Sequence, residues 1–319
     1  MALVRVENAG DIRSALTMEV AEVERLLAGP LAGLRHSEPR TRDRHLLWSM
    51  LEATRQWLGA TNFSSHKIEG YSIELLGVGA LLRARAGDPG LPELVAGMVE
   101  ASQYIHAMGV LGVAYAIADQ PWARHVTLLR KETQRPGRIA DLRVEVTEGG
   151  KFDIEVKAPR TLRDPNRPVR VKAARRIVAT AIMEACNPKN PQLPPGSPGM
   201  VAIVGHDLRE RDGRTLESAG NGYLQRRGGL NPWLMGVLMI ELRRQASFGD
   251  PTEIVLPDGR RQRTRQLRAT FGSRRNYSRN PAYVGNVQLN LEEGHDPAKE
   301  NLDFRLGALN PMGGVSGER

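Results

Sequence analysis

FDIEVKAP, residues 152–159, alternates apolar and polar side chains, with Phe152, Ile154 and Val156 on one face and Asp153, Glu155 and Lys157 on the other. A period of two marks a strand with one face buried. Just upstream, ADLRVEV (140–146) repeats the alternation, and TEGGK (147–151) between them carries a hairpin signal. A slip of one residue would set apolar against polar faces, so only even register shifts are compatible. A three-residue loop of Glu148, Gly149 and Gly150 pairs Thr147 with Lys151, Glu145 with Asp153, Arg143 with Glu155 and Asp141 with Lys157. Asp141 then lies diagonal to Glu155, within about 7–8 Å. Two carboxylates so placed suit a hard divalent cation, which takes oxygen ligands and keeps waters; a lysine beside them can orient a water or offset phosphate charge. The competing meaning is structural: Arg143–Glu155 and Asp141–Lys157 as cross-strand ion pairs on a solvated face.

The element order around this hairpin narrows the choice. Apolar spacing predicts helices over 11–29, 44–60 and 73–87, then a long, mostly buried helix from Glu93 to about Ala118, stopped before Pro121. Period two returns in WARHVTLLRKE (122–132), giving three strands in series. A helix follows over Val169–Ala185, then a proline-rich loop and a buried strand in MVAIVGHDL. LNPWLMGVLMIELRRQ (230–245) reads as a helix capped by Asn231 with Pro232 in its first turn, and AYVGNVQLNLEE (282–293) as a further strand. Helix, three strands, helix, strand is an α/β layout with one central sheet.

Asp141, thirteen residues, then Glu155-Val156-Lys157 in this setting resembles the PD-(D/E)XK nuclease superfamily, over roughly residues 91–207. The proline usual before the aspartate is Ala140 here. The tripeptide alone carries almost no weight; its value comes from the upstream aspartate, the glycine turn and the following helix. The resemblance implies a restriction-endonuclease-like core, a mixed sheet flanked by helices, behind an N-terminal helical region. It also implies Mg²⁺ or Mn²⁺ held by Asp141 and Glu155 with the Val156 carbonyl as a further ligand, Lys157 assisting phosphodiester hydrolysis, and a glutamate on the preceding helix. Glu93 and Glu100 lie seven apart and face the same way, with Glu100 favoured. The expected substrate is nucleic acid, DNA by family likeness, and such folds often dimerise to cut both strands. A non-catalytic nucleic-acid-binding or assembly protein, or an RNA nuclease of a toxin or defence system, are the alternatives.

Composition agrees with a polyanionic partner without demanding one. The chain has 319 residues, a formal charge of +9 and 45 Lys and Arg against 36 Asp and Glu. Lys172, Arg175 and Arg176 at the start of the helix after the hairpin could touch phosphate, or form an ordinary solvated face. The 258–280 stretch carries eight arginines; Arg274, Arg275 and Tyr277 could track a backbone and stack on bases, or the stretch could be a charged edge strand. One cysteine, Cys186, excludes an internal disulfide and a cysteine-based zinc site. The histidines form no zinc-hydrolase spacing, and His106 on an apolar helix reads as a core residue. No phosphate-binding glycine loop or serine-hydrolase elbow is present. Without a signal-peptide layout or a membrane-length apolar run, a cytoplasmic location is expected. The predicted organisation is a helical region 1–90, a core 91–249 and a basic extension 250–319.

Overall fold

The structure, a computed structural model, describes residues 9–61, 70–118, 120–129, 140–163, 168–206, 208–248, 252–255, 261–264, 267–287, 289 and 301–304. The chain divides into two compact units, one of Met1–Arg83, Arg244–Phe271 and Leu302–Arg319, the other of Ala84–Arg243 and Gly272–Asn301. The second unit thus begins slightly before the expected boundary and takes up part of the segment read as a C-terminal extension.

The helices of the first unit are α1 (Ala9–Leu26), α2 (Ala28–His36), the single turn α3 (Pro39–Arg42), α4 (Leu46–Gly59) and α5 (Gly70–Ala84), of which α1, α4 and α5 answer to the helices expected over 11–29, 44–60 and 73–87. Gly29-Pro30, expected to end the first helix, instead sits in the first turn of α2, where the missing proline N–H is one that a helix start leaves unpaired anyway. Leu16, Val20 and Val23 of α1 and Leu47, Met50 and Leu51 of α4 are buried at helical spacing.

The second unit holds α6 (Leu91–Gly97), α7 (Ala101–Ala118), β1 (Ala123–Leu128), β2 (Leu142–Val146), β3 (Lys151–Lys157), α8 (Val171–Ala185), β4 (Gly199–His206), α9 (Glu210–Arg227) and most of β5 (Leu234–Phe248). β6 (Thr252–Val255) and β7 (Arg261–Thr264) form a separate antiparallel ribbon, before β8 (Leu267–Arg279). The result is an α/β structure with a mixed open sheet in the order β1-β2-β3-β4-β5-β8, and the short β9 (Asn301–Phe304) comes next after β8. β1, β2 and β3 are antiparallel, whereas β3–β4 and β4–β5 are parallel. Among the described residues no helix is long and apolar enough to cross a membrane.

Helices cover both faces of this sheet. α7 lies close on one: a Cβ added at Gly109 would sit 3.0 Å from Ala158 Cβ and 3.6 Å from both Val156 Cγ1 and Val204 Cγ2. On the other face Ala174, Val178 and Ile182 of α8 and Leu216 and Leu224 of α9 pack with Val201, Ile203, Val237 and Met239. All eight residues of β4 are buried as a result.

Three expectations are corrected, and one helix had not been expected. The helix read from Glu93 to Ala118 is two, α6 and α7, separated by a turn at 98–100. The stretch read as a helix after Asn231 is β5: Leu234–Leu242 is buried on both faces, and a strand apolar on both sides has no alternation by which to distinguish it from a helix. α9 gave no helical signal, because Gly213, Gly220 and Gly222 interrupt its apolar pattern while Gly220 lets the helix approach Ser278 of β8. Of the strand expected at 282–293, the described residues 282–287 and 289 form turns, bends and coil, and the rest lies outside the described residues.

Candidate active site

The hairpin forms with its faces as expected but in a register shifted by two. Glu145 pairs with Lys151, Arg143 with Asp153 and Leu142 with Ile154. The loop is Thr147–Glu148–Gly149, closed where Val146 N–H donates to the Gly150 carbonyl at 3.1 Å. Gly149 and Gly150 take φ of 94° and 96°, a left-handed backbone open to glycine at little cost, and this selects the register over its neighbour. The expected pairs Arg143–Glu155 and Asp141–Lys157 are therefore absent. Arg143 forks onto Asp153 instead, Nε to Oδ1 at 2.8 Å and Nη2 to Oδ2 at 3.0 Å.

The shift brings Asp141 beside Glu155. Asp141 Oδ2 accepts the Val156 backbone N–H at 2.8 Å, so the carboxylate occupies the place of a ladder carbonyl just before β2 begins. Its Oδ1 lies 3.1 Å from His106 Nε2. A carboxylate can only accept, so the imidazole carries its proton on Nε2 here. Ala140, where the resemblance has proline, is packed in the core at 2% exposure.

The stripe is not wet. Asp153 is 7%, Glu155 2% and Asp141 8% exposed, because α8 and its neighbours cover the face that alternation alone assigns to solvent. Burial first, and then the Asp141 charge, lift the Glu155 carboxyl to about 7, with Lys157 acting against both. Glu155 Oε1 pairs with Lys157 Nζ at 2.9 Å, whereas Oε2 is buried without a hydrogen-bond partner. Lys157 Nζ also donates to Gln192 Oε1 at 2.8 Å and lies 3.4 Å from Glu184 Oε2 of α8. Gln192 is held there by its backbone N–H, which donates to the Ala185 carbonyl at 2.9 Å.

Two cavities meet these groups. One of about 490 Å³ is lined by Glu93, Glu100, Gln103, His106 and Asp141. Glu93 and Glu100 therefore open on one space even though the helix expected to carry both is broken, and Glu100 stands just before α7. The second, about 370 Å³, is lined by Lys157, Arg176, Thr180 and Glu184. Arg176 thus reaches the lysine's cavity, while Lys172 and Arg175 are exposed on the same helix. Tyr277 is engaged in the fold, its hydroxyl donating to the Met235 carbonyl at 2.9 Å. Arg274 and Arg275 fall within β8, but their side chains lie outside the described residues.

His106, Glu184 and Gln192 were missed. His106 read as a core residue because its helix is apolar all round, and periodicity cannot show that its ring reaches Asp141. Gln192 sits in a proline-rich loop with no spacing signal at all. No family model matches this chain, and no curated protein matches it.

A hydrated divalent cation fits the oxygen donors present. Asp141 and Glu155 supply buried negative charge that a cation would relieve, and Glu155 Oε2 lacks a partner. Among the described residues no three or more His, Cys, Asp or Glu side chains are placed to hold a metal ion together. The fit is to an ion such as Mg²⁺, which binds through one or two carboxylates and retains waters.

Proposed function

We propose that this chain is a divalent-metal-dependent nuclease with a restriction-endonuclease-like core, hydrolysing phosphodiester bonds of nucleic acid, with DNA as the preferred substrate. The observation that carries the reading is the buried pairing of Asp141 with Glu155 at the end of β3, next to Lys157. An ordinary sheet has no use for two interacting carboxylates out of water, since burying such charge costs several kcal/mol per ion on the order of magnitude. Active sites do, because perturbed acids cluster where chemistry is done.

In this reading Asp141 and Glu155 hold Mg²⁺ or Mn²⁺, with the Val156 carbonyl as the further ligand that the resemblance implies. The ion would supply an activated water and offset charge building on the phosphate. Lys157, lining a cavity shared with Arg176, orients the nucleophile or a phosphate oxygen. The Val156 N–H and His106 hold the Asp141 carboxylate in one orientation. Glu100, or Glu93, lines the same cavity as Asp141 and can bind waters of the ion.

One observation favours a second reading. The Lys157 ammonium has three donors, and Glu155, Gln192 and Glu184 supply three acceptors. A lysine so engaged neutralises the acids structurally, as in a nucleic-acid-binding protein that does no hydrolysis. Incubation of the purified chain with supercoiled plasmid, linear duplex, single-stranded DNA and RNA, each with Mg²⁺, Mn²⁺ or EDTA, separates the two. The nuclease requires cutting that EDTA abolishes and that folded Glu155→Gln and Lys157→Ala variants lose. Binding without cutting of any substrate, indifferent to chelator, establishes the second reading.

A further inference from the structure

We infer that the cleft between α8 and α9 is a phosphate-binding track that holds the nucleic-acid backbone outside the active site. The cleft, of about 260 Å³, is lined by Arg175 of α8 and by Arg214, Thr215, Ser218, Gly222 and Arg226 of α9. Arg175 comes from α8 and Arg214 and Arg226 from α9, and all three are exposed, so packing does not require them to be charged. The Arg226 guanidinium folds over Gly222, 3.6 Å from where a Cβ would be, and so is directed along the cleft rather than away from it. Two hydroxyls, Thr215 and Ser218, stand among the arginines as further donors to phosphate oxygens.

Most of the acids nearby are turned to partners outside the cleft. Asp212 is buried and accepts the Val169 N–H at 2.9 Å. Glu217 is bonded to Asn276 at 2.8 Å, and Glu184 lies against Lys157. Glu210, paired with Arg214, is the acid that opposes the cluster. The first turn of α8 opens on the same cleft through Val171 and contains no acid, so its positive dipole end adds to the field.

Geometry ties the cleft to the candidate active site. Arg175 and Arg176 are consecutive on α8 and so point about 100° apart: the first lines this cleft, the second lines the cavity that holds Lys157. A polyphosphate backbone lying across the first turns of α8 would meet both. Guanidinium forks suit phosphate oxygens in pairs, and contacts of this kind position a strand without reading its sequence. The identity of the ligand rests on the proposed action on nucleic acid, but the cleft does not depend on hydrolysis.

The test is fluorescence anisotropy of the full chain in EDTA with labelled duplex and single-stranded DNA, across a KCl series. Replacing Arg175, Arg214 and Arg226 together by Ala is expected to weaken binding at least tenfold near 0.1 M salt. It should reduce the slope of log affinity against log salt for duplex by about 2–3, three contacts at roughly 0.9 each. The corresponding Lys triple should keep most of the slope. Ser218→Glu, which puts one carboxylate in the cleft without removing a side chain from the fold, should weaken binding as well. Wild-type affinity and slope in both the Ala triple and Ser218→Glu overturn the track, as does displacement of DNA by millimolar inorganic phosphate at constant ionic strength, which would make a free anion the ligand. Loss of binding in the triple together with a wild type that cuts nothing upholds the cleft and removes the nuclease. Unchanged binding with metal-dependent cutting does the reverse.

Discussion

The backbone N–H of Val156 donates to the side chain of Asp141, at 2.8 Å, rather than to a carbonyl of the neighbouring strand. Asp141 thereby both completes the sheet and presents its carboxylate beside Glu155. Asp141→Asn keeps an acceptor for that N–H and should stay within about 1 kcal/mol of wild-type stability, whereas Asp141→Ala orphans a buried donor and should cost about 1–3 kcal/mol. Both should abolish metal-dependent cutting. Urea unfolding and plasmid cleavage on the same preparations check this; equal stability of the two variants would mean the hydrogen bond contributes nothing.

Glu155 supplies a pH dependence with a definite sign. Its folded pKa, about 7, lies above the ordinary carboxylate value of 4.5. Between those values the folded chain holds a proton that the unfolded chain has released, so stability falls as pH rises from about 4.5 to 7. The loss is on the order of 1–3 kcal/mol at 1.36 per unit. Glu155→Gln should flatten this part of the profile, measured in EDTA by urea denaturation at several pH values. An identical slope in the variant would show that this carboxyl is not the titrating group.

A cation bound by the ionised acids should reverse that loss. At pH 7.5, millimolar Mg²⁺ or Mn²⁺ is expected to raise Tm by several degrees, the linkage effect of any ligand selective for the folded chain. The shift should vanish in Glu155→Gln and in Asp141→Asn. An equal rise in these variants would place the ion elsewhere.

The register can be tested without any activity. Arg143 and Asp153 should show a coupling of about 0.5–2 kcal/mol in a double-mutant cycle, since their pairing is bidentate and half-buried. Arg143 and Glu155 should couple by less than about 0.3 kcal/mol. Coupling to Glu155 instead would restore the register that places Asp141 opposite Lys157.

Lys157 separates the catalytic and structural readings. Lys157→Met leaves Glu155 buried without its cation, which should destabilise the chain by about 1–3 kcal/mol at pH 7.5 and by less at pH 5. Glu184→Ala, removing a half-exposed acid 3.4 Å away, should change stability by under about 0.5 kcal/mol. If Lys157 takes part in hydrolysis, Glu184→Ala should alter the cutting rate while leaving stability intact; a dead wild type and a purely thermodynamic response in both variants would assign the lysine to structure.

The sequence by itself determined the strand alternation of β2 and β3, their glycine turn, the amphipathic α8 and the buried β4, because each is a local pattern of apolar spacing or backbone permissiveness. It also put Asp141, Glu155 and Lys157 on one face of the hairpin, since an even slip preserves faces. Tertiary structure decided what local pattern cannot carry. Which even register forms depends on where the two glycines turn the chain, and that choice moved Arg143 from Glu155 to Asp153. Whether the polar face meets water depends on the helices packed over it, and α8 made Glu155 a buried acid. β5 was hidden because a strand covered on both faces loses its alternation, and α9 because glycines needed for close packing dilute its period. The contacts of His106 with Asp141 and of Gln192 with Lys157 each span 35 residues of sequence. Only the folded chain brings such residues together, since no local spacing records which distant elements will pack side by side.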